Sequence, residues 1–155
     1  MKVAYDTNYR PRLWSPRRAA AIMHATMAEV DYALPGIEDV QVLTGLTEPD
    51  AMLDFYLRLG APVVVLKMGA AGAYLATPEH RVRIPCHAVR VVDATGAGDT
   101  FCGSFLARSL GDPPERAARY ANVAAALKCT GYGAVAPIPR PADVYAAMQK
   151  SAADV

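Results

Sequence analysis

Val92-Asp93-Ala94-Thr95-Gly96-Ala97-Gly98-Asp99-Thr100-Phe101 lies between a short apolar stretch, about Ala88 to Val92, and an apolar run from Thr100 to Leu110. The first reads as a strand and the second as a helix stopped by Gly111. Open α/β sheets place ligands at such strand-to-helix turns. Gly96 and Gly98 remove side chains from this turn, with a positive φ expected at Gly98. The N–H groups of Gly96, Ala97 and Gly98 can then point at one spot. The helix beginning near Asp99 adds the positive end of its dipole. Together they form an anion hole suited to a phosphoryl oxygen.

Two common phosphate motifs do not fit. A Walker A loop ends in Gly-Lys-Ser/Thr, which the chain lacks, and the third glycine of a Rossmann fingerprint arrives too late, at Gly103. Asp99, directly after the second glycine, would repel the anion its neighbours attract. That conflict makes sense if Asp99 does chemistry, accepting the proton of an alcohol that attacks a phosphoryl group held in the hole. The plain alternative is a Gly-rich turn with Asp99 as an ordinary first-turn helix acid.

Around this segment the chain alternates strand and helix signals. Val3 to Tyr5 reads as a strand closing on Asp6, followed by a polar loop to Trp14. Ser15-Pro16 is an N-cap with Pro at the first helical position, opening a helix to about Val30. Tyr32 to Leu34 is a second short strand. Helical spacing follows from Ile37 to Gly45 and from Glu48 to Gly60. Val63 to Leu66 is a β-branched run suited to a strand buried on both faces. After a turn at Gly69 to Gly72, Ala73–Ala76 and Arg81–Ile84 form an antiparallel pair. Asp112 as N-cap with Glu115 at N3 predicts a helix running to Thr130. Pro141 starts the last helix. This order implies one α/β domain with a mainly parallel sheet.

The 155 residues carry 53% hydrophobic and 20% charged side chains and a net charge of +1. Such a chain buries a core and presents no electrostatic footprint for nucleic acid or an acidic membrane. No apolar stretch approaches the ~18 residues of a membrane span, and Asp6 comes too soon for a signal peptide. Cys86, Cys102 and Cys129 are an odd, widely spaced set, which points to reduced thiols and a cytoplasmic location rather than a disulfide framework. His24, His80 and His87 are scattered, and no residue is assigned to a metal.

Val92 to Phe101 resembles the C-terminal signature of the ribokinase-like, PfkB carbohydrate kinases. Asp6-Thr7-Asn8-Tyr9-Arg10 with Leu13-Trp14-Ser15 resembles the Asp-x-Asn-x-Arg…Leu-Trp segment of 2-keto-3-deoxygluconate kinases. Gly131-Tyr132-Gly133-Ala134 with Pro137 resembles the family's C-terminal loop. The resemblance covers nearly the whole chain. It implies a ribokinase-like α/β fold, mainly parallel with flanking helices, and transfer of the γ-phosphoryl group of ATP, with Mg²⁺, to a hydroxyl of a sugar or sugar acid. It makes Asp99 the catalytic base, in contact with substrate, and Gly96, Ala97 and Gly98 the anion hole. Lys67, Gly69 and Gly72 would border the ATP site, Asn122 would lie near the adenine, and Asn8 would face ATP. Arg10 would face the carboxylate of a sugar acid; bottom-up, it follows a strand's C-terminal end, where a guanidinium fork suits a carboxylate.

Two departures accompany the resemblance. The family's Asn-x-x-Glu motif, tied to magnesium and phosphate, falls on Gly36-Ile37-Glu38-Asp39. Family members are also about twice as long, so residues 1–155 correspond to the C-terminal, ATP-binding portion, with the N-terminal half and lid absent. Self-association, or contact with such an N-terminal half, is then expected. Two rivals stay open: a nucleotide-binding half-domain without turnover, and a dinucleotide-dependent oxidoreductase, which lacks its third glycine in register.

Overall fold

The computed structural model describes residues 1–153, and of residues 151–153 the backbone only. The chain forms two compact units, one of Met1–Gly69 and Ala73–Arg83, the other of Ala70–Gly72 and the chain from Ile84 onward.

The first unit is a five-stranded sheet in sequence order with helices packed on it. β1 (Ala4–Tyr5), β2 (Tyr32–Ala33) and β3 (Val63–Lys67) run parallel, with Ala4 opposite Tyr32 and Tyr32 opposite Val63. β4 (Ala73–Ala76) turns back antiparallel, Val64 facing Ala76 and Lys67 facing Ala73, and β5 (Arg81–Ile84) forms the edge. The β-branched run of β3 is covered as a two-sided strand must be: Val64, Val65 and Leu66 are fully buried.

α1 (Pro16–Met27) starts where its sequence says, with Ser15 Oγ accepting the Arg18 N–H and Pro16 at the first helical position. α2 (Ile37–Thr44) and α3 (Pro49–Leu59) end on Gly45 and Gly60, each left-handed. Met27, Met52, Leu53, Tyr56, Val64 and Leu66 make the core of this unit. Each such apolar side chain contributes roughly 1.5–3 kcal/mol by leaving water.

The second unit is helical: α4 (Ala97–Ser109), α5 (Pro114–Lys128) and α6 (Pro141–Ala153). α5 is rich in buried alanine and packs on α4 and α6. Four sequence expectations change here. Ala88 to Val92 is not a strand; the Val92 N–H goes to Cys129 O at 2.7 Å, so the segment is tied to the end of α5 instead of a ladder. α4 begins at Ala97, so Gly98 lies in a helical turn and the positive φ of +79° falls on Gly96. Asp112 does not cap α5; Pro113 holds that position, and the Asp112 carboxylate binds Arg108. α5 ends at Lys128, short of Thr130, with Cys129 as its C-cap.

Gly72 has φ +89°, and a Cβ there would sit 2.0 Å from Ile84 O and 2.7 Å from Cys86 N. Gly45, at φ +76°, has open space around it. Gly72→Ala is therefore expected to cost roughly 3 kcal/mol or more, strain and overpacking together. Gly45→Ala should cost only about 1–2 kcal/mol. Urea unfolding of the two variants checks the order; equal midpoints would contradict it.

Candidate active site

Chemistry-bearing residues gather in one cluster within each unit. In the first unit they line the C-terminal ends of β1, β2 and β3, the edge where parallel sheets hold ligands. Asp6 Oδ2 pairs with Lys67 Nζ at 2.7 Å, and the two side chains are only 23% and 15% exposed. Asp6 Oδ1 accepts the Asn8 N–H at 3.2 Å. Asn8 itself is left-handed, φ +37°, a conformation Asn tolerates better than most residues.

Thr7 is buried between two elements. Its hydroxyl donates to Asp39 Oδ2 at 2.7 Å and accepts the Gly36 N–H at 3.3 Å. The same Asp39 oxygen accepts the Tyr9 N–H at 3.1 Å. The acid of the altered Gly36-to-Asp39 motif thus holds the loop leaving β1. Tyr9 is buried with Ala19, Met23 and Leu43, which anchors that loop from below. Arg10 is exposed, and its guanidinium spends one N–H on Tyr9 O at 3.0 Å.

In the second unit the Gly-rich turn is built around Asp93. Its Oδ1 accepts the Thr95 N–H at 2.9 Å, an Asx turn, and its Oδ2 accepts the Gly133 N–H at 2.9 Å. Its own N–H reaches Cys129 O at 3.2 Å, and its carbonyl accepts the Lys128 ammonium at 2.8 Å. Gly96 is the N-cap of α4, where a Cβ would lie 3.2 Å from Ala134 O. Ala97 donates to Ala94 O at 3.1 Å, so one of the three expected anion-hole amides is already used. Gly98 and Asp99 occupy the second and third helical positions, whose N–H groups have no intrahelical acceptor. Asp99 is exposed.

Asn122, buried on α5, donates to Pro85 O at 2.6 Å. Gly72 makes the close approach to Ile84 and Cys86 described above. Gly69, φ +54°, opens a single 3-10 turn with free space at its Cα. Among the described residues no three His, Cys, Asp or Glu side chains group as a metal chelate. No described helix is long and apolar enough to cross a membrane.

Sequence reasoning left out the two residues that build the turn. Asp-x-Thr was a legible Asx-turn signal for Asp93. Lys128 continues the buried positions Ala117, Ala121 and Ala124, so a charge on that face was visible in the spacing.

The Asp93 carboxyl is lowered from 3.8 to about 2, first by the Thr95 N–H, then by the Thr95 hydroxyl and the Gly133 N–H. A carboxyl lowered in the folded state favours folding above its unfolded value, and that contribution is lost as pH falls through the folded one. The turn should stay organised at pH 3 and loosen near 2. A carboxyl ¹³C titration of Asp93 should show a midpoint near 2; a midpoint near 4 would show that the hydrogen bonds do not hold in solution.

Residues 1–141 match the model of the pfkB family carbohydrate kinases. The chain is 37% identical over 144 residues to a 2-dehydro-3-deoxygluconokinase of Thermoproteus tenax, covering 90% of this chain and 44% of that protein. It is 37% identical over 102 residues to a 2-dehydro-3-deoxygluconokinase of Bacillus subtilis, covering 64% of this chain and 31% of that protein. Its fold superposes on a fructokinase from Vibrio cholerae O395, solved with fructose, ADP and calcium ion. The TM-score is 0.86 at 33% identity, covering 94% of this chain and 50% of that one. The chain spans at most about half the length of these relatives. On the family match and the shared ribokinase-like α/β fold, the chain belongs to the pfkB family of carbohydrate kinases.

Proposed function

We propose that residues 1–155 form the nucleotide-binding portion of an ATP-dependent sugar or sugar-acid kinase, with Asp99 as its catalytic base. The observation that carries this is the place of Asp99, in the first turn of α4 and one residue beyond the Gly96–Gly98 turn. Helix-start amides there suit a phosphoryl oxygen, and the acid beside them suits the proton of an attacking hydroxyl. Gly96 fits the part, since its left-handed φ strains any side chain and a Cβ there would press on Ala134 at 3.2 Å.

When bound, ATP would supply the γ-phosphoryl group and Mg²⁺ would neutralise charge on its phosphates. Gly96, Ala97 and Gly98 would border those phosphates, and Asn122 would serve the adenine side. The family resemblance also assigns a nucleotide-binding role to Lys67, Gly69, Gly72 and Asn8. Mg²⁺ commonly keeps several waters, which suits a chain whose described residues offer no chelating cluster. Asp99 takes the proton of the substrate hydroxyl as its oxygen bonds to the γ-phosphorus; the bond to the β-phosphate oxygen breaks and its electron pair leaves with ADP.

The sugar acid is favoured over a neutral sugar because Arg10 is exposed with most of its five donors beyond the one used on Tyr9 O. The same proposal includes association with another copy or an N-terminal half, over exposed Val91, Tyr132 and Val135, and a cytoplasmic location. A second reading is nucleotide binding without turnover, with Asp99 serving only as a first-turn acid of α4.

ADP release assayed over a panel of sugars and sugar acids, with ATP affinity by calorimetry, separates the readings. Asp99→Asn should lower kcat by about 10²–10⁴ while ATP affinity changes little; turnover near wild type would remove Asp99 from the base role. Binding of ATP with no turnover on any substrate would favour the second reading. Arg10→Leu should raise KM at least tenfold for a carboxylate-bearing sugar and much less for a neutral one. Equal effects on both would make Arg10 structural.

A further inference from the structure

Lys128 is a cation in the interior of the second unit. Its side chain is fully buried, at the end of α5, and its ammonium donates to Asp93 O at 2.8 Å. Burying a charge is costly unless something offsets it. A neutral Gln could donate the same bond to a carbonyl at less cost, so the hydrogen bond alone does not explain a lysine. The surroundings explain it better. The turn that Lys128 underpins carries two acids, Asp93 and Asp99, in its first seven residues. Asp93 shapes the turn through the amides of Thr95 and Gly133. Its negative charge would also repel any phosphoryl group arriving at the amides just beyond it.

We propose that Lys128 is a positioning residue for the phosphate turn: it fixes the Asp93 carbonyl and supplies the counter-charge that lets Asp93 shape the turn without repelling an anion. The inference rests on the proposed nucleotide role of the Gly96–Gly98 turn. Geometry supports it from four sides, because all polar groups of Asp93 are engaged: N–H on Cys129 O, carbonyl on Lys128, and one carboxylate oxygen each on Thr95 and Gly133. The end of α5 adds its own negative pole, which favours a cation in its last turn.

The test is calorimetric titration of ATP and, separately, adenosine into the whole chain as wild type, Lys128→Met and Lys128→Gln. Loss of the counter-charge should weaken ATP at least tenfold in both variants and leave adenosine within twofold. In an Asp93→Asn background the Lys128→Met effect on ATP should shrink to less than threefold, since no charge is left to offset. Equal losses for ATP and adenosine, no loss for ATP, or wild-type ATP affinity in Lys128→Gln would overturn the proposal. If the Met variant does not fold, the Gln variant, which keeps a donor without the charge, is read by the same criteria. A wild-type chain that binds no ATP would defeat the nucleotide role instead. The proposal about Lys128 is then decided without ligand by the Asp93 carboxyl titration. That midpoint should rise in both variants; an unchanged midpoint would overturn it.

Discussion

A chain running outside helix and ladder carries polar groups that no regular partner will satisfy, and each needs one. In this protein an aspartate meets that need at both clusters. Asp39 receives the Thr7 hydroxyl and the Tyr9 N–H on one oxygen. Asp93 receives the Thr95 and Gly133 N–H groups on two. Each carboxylate closes a loop by joining residues that are distant in sequence, 30 or more positions apart for Asp39 and 40 for the Gly133 contact. Without these acceptors the first loop would rest on the packing of Tyr9, and the second on the Cys129 and Lys128 bonds to the Asp93 backbone.

Much of the fold was legible in the chain because the signals were local. Ser15-Pro16, the αL glycines 45 and 60, and the β-branched run at Val63 each name their own structure through one residue's dihedral or capping preference. The misreadings share a different cause. Val92 has strand-like neighbours, but its N–H is claimed by Cys129, 37 residues away, and no local pattern announces that. Gly98 has the freedom to take the unusual φ, but the helix starts one residue after Gly96 and absorbs Gly98 into a regular turn. Asp112 has good capping chemistry, but Arg108 one turn earlier offers a charged partner.

The candidate site divides along the same line. Gly96, Gly98 and Asp99 were visible because they fall together in one short segment. Asp6 and Lys67 meet only because β1 and β3 are both neighbours of β2, a fact of topology that spacing does not contain. The departure at Gly36 and Asp39 likewise acquires a meaning only in three dimensions. Asp39 is turned toward the loop after β1, and Gly36 contributes an N–H to the same Thr7 hydroxyl.

α5 ties down two loops at once: Asn122 grips the Pro85 carbonyl and Lys128 grips the Asp93 carbonyl. Lys128 lies six positions beyond Asn122 on the helix, a rise of about 9 Å. A helix does not stretch or compress the way a loop does, so it serves as a ruler laid between two points of the backbone. Substitutions in the loops can change what they present, but not how far apart their anchored points lie. Only an insertion or deletion inside α5 resets that spacing, and it would also rotate one grip away from its carbonyl by about 100° per residue. The distance is thus written in the count of residues between 122 and 128, whatever their identities.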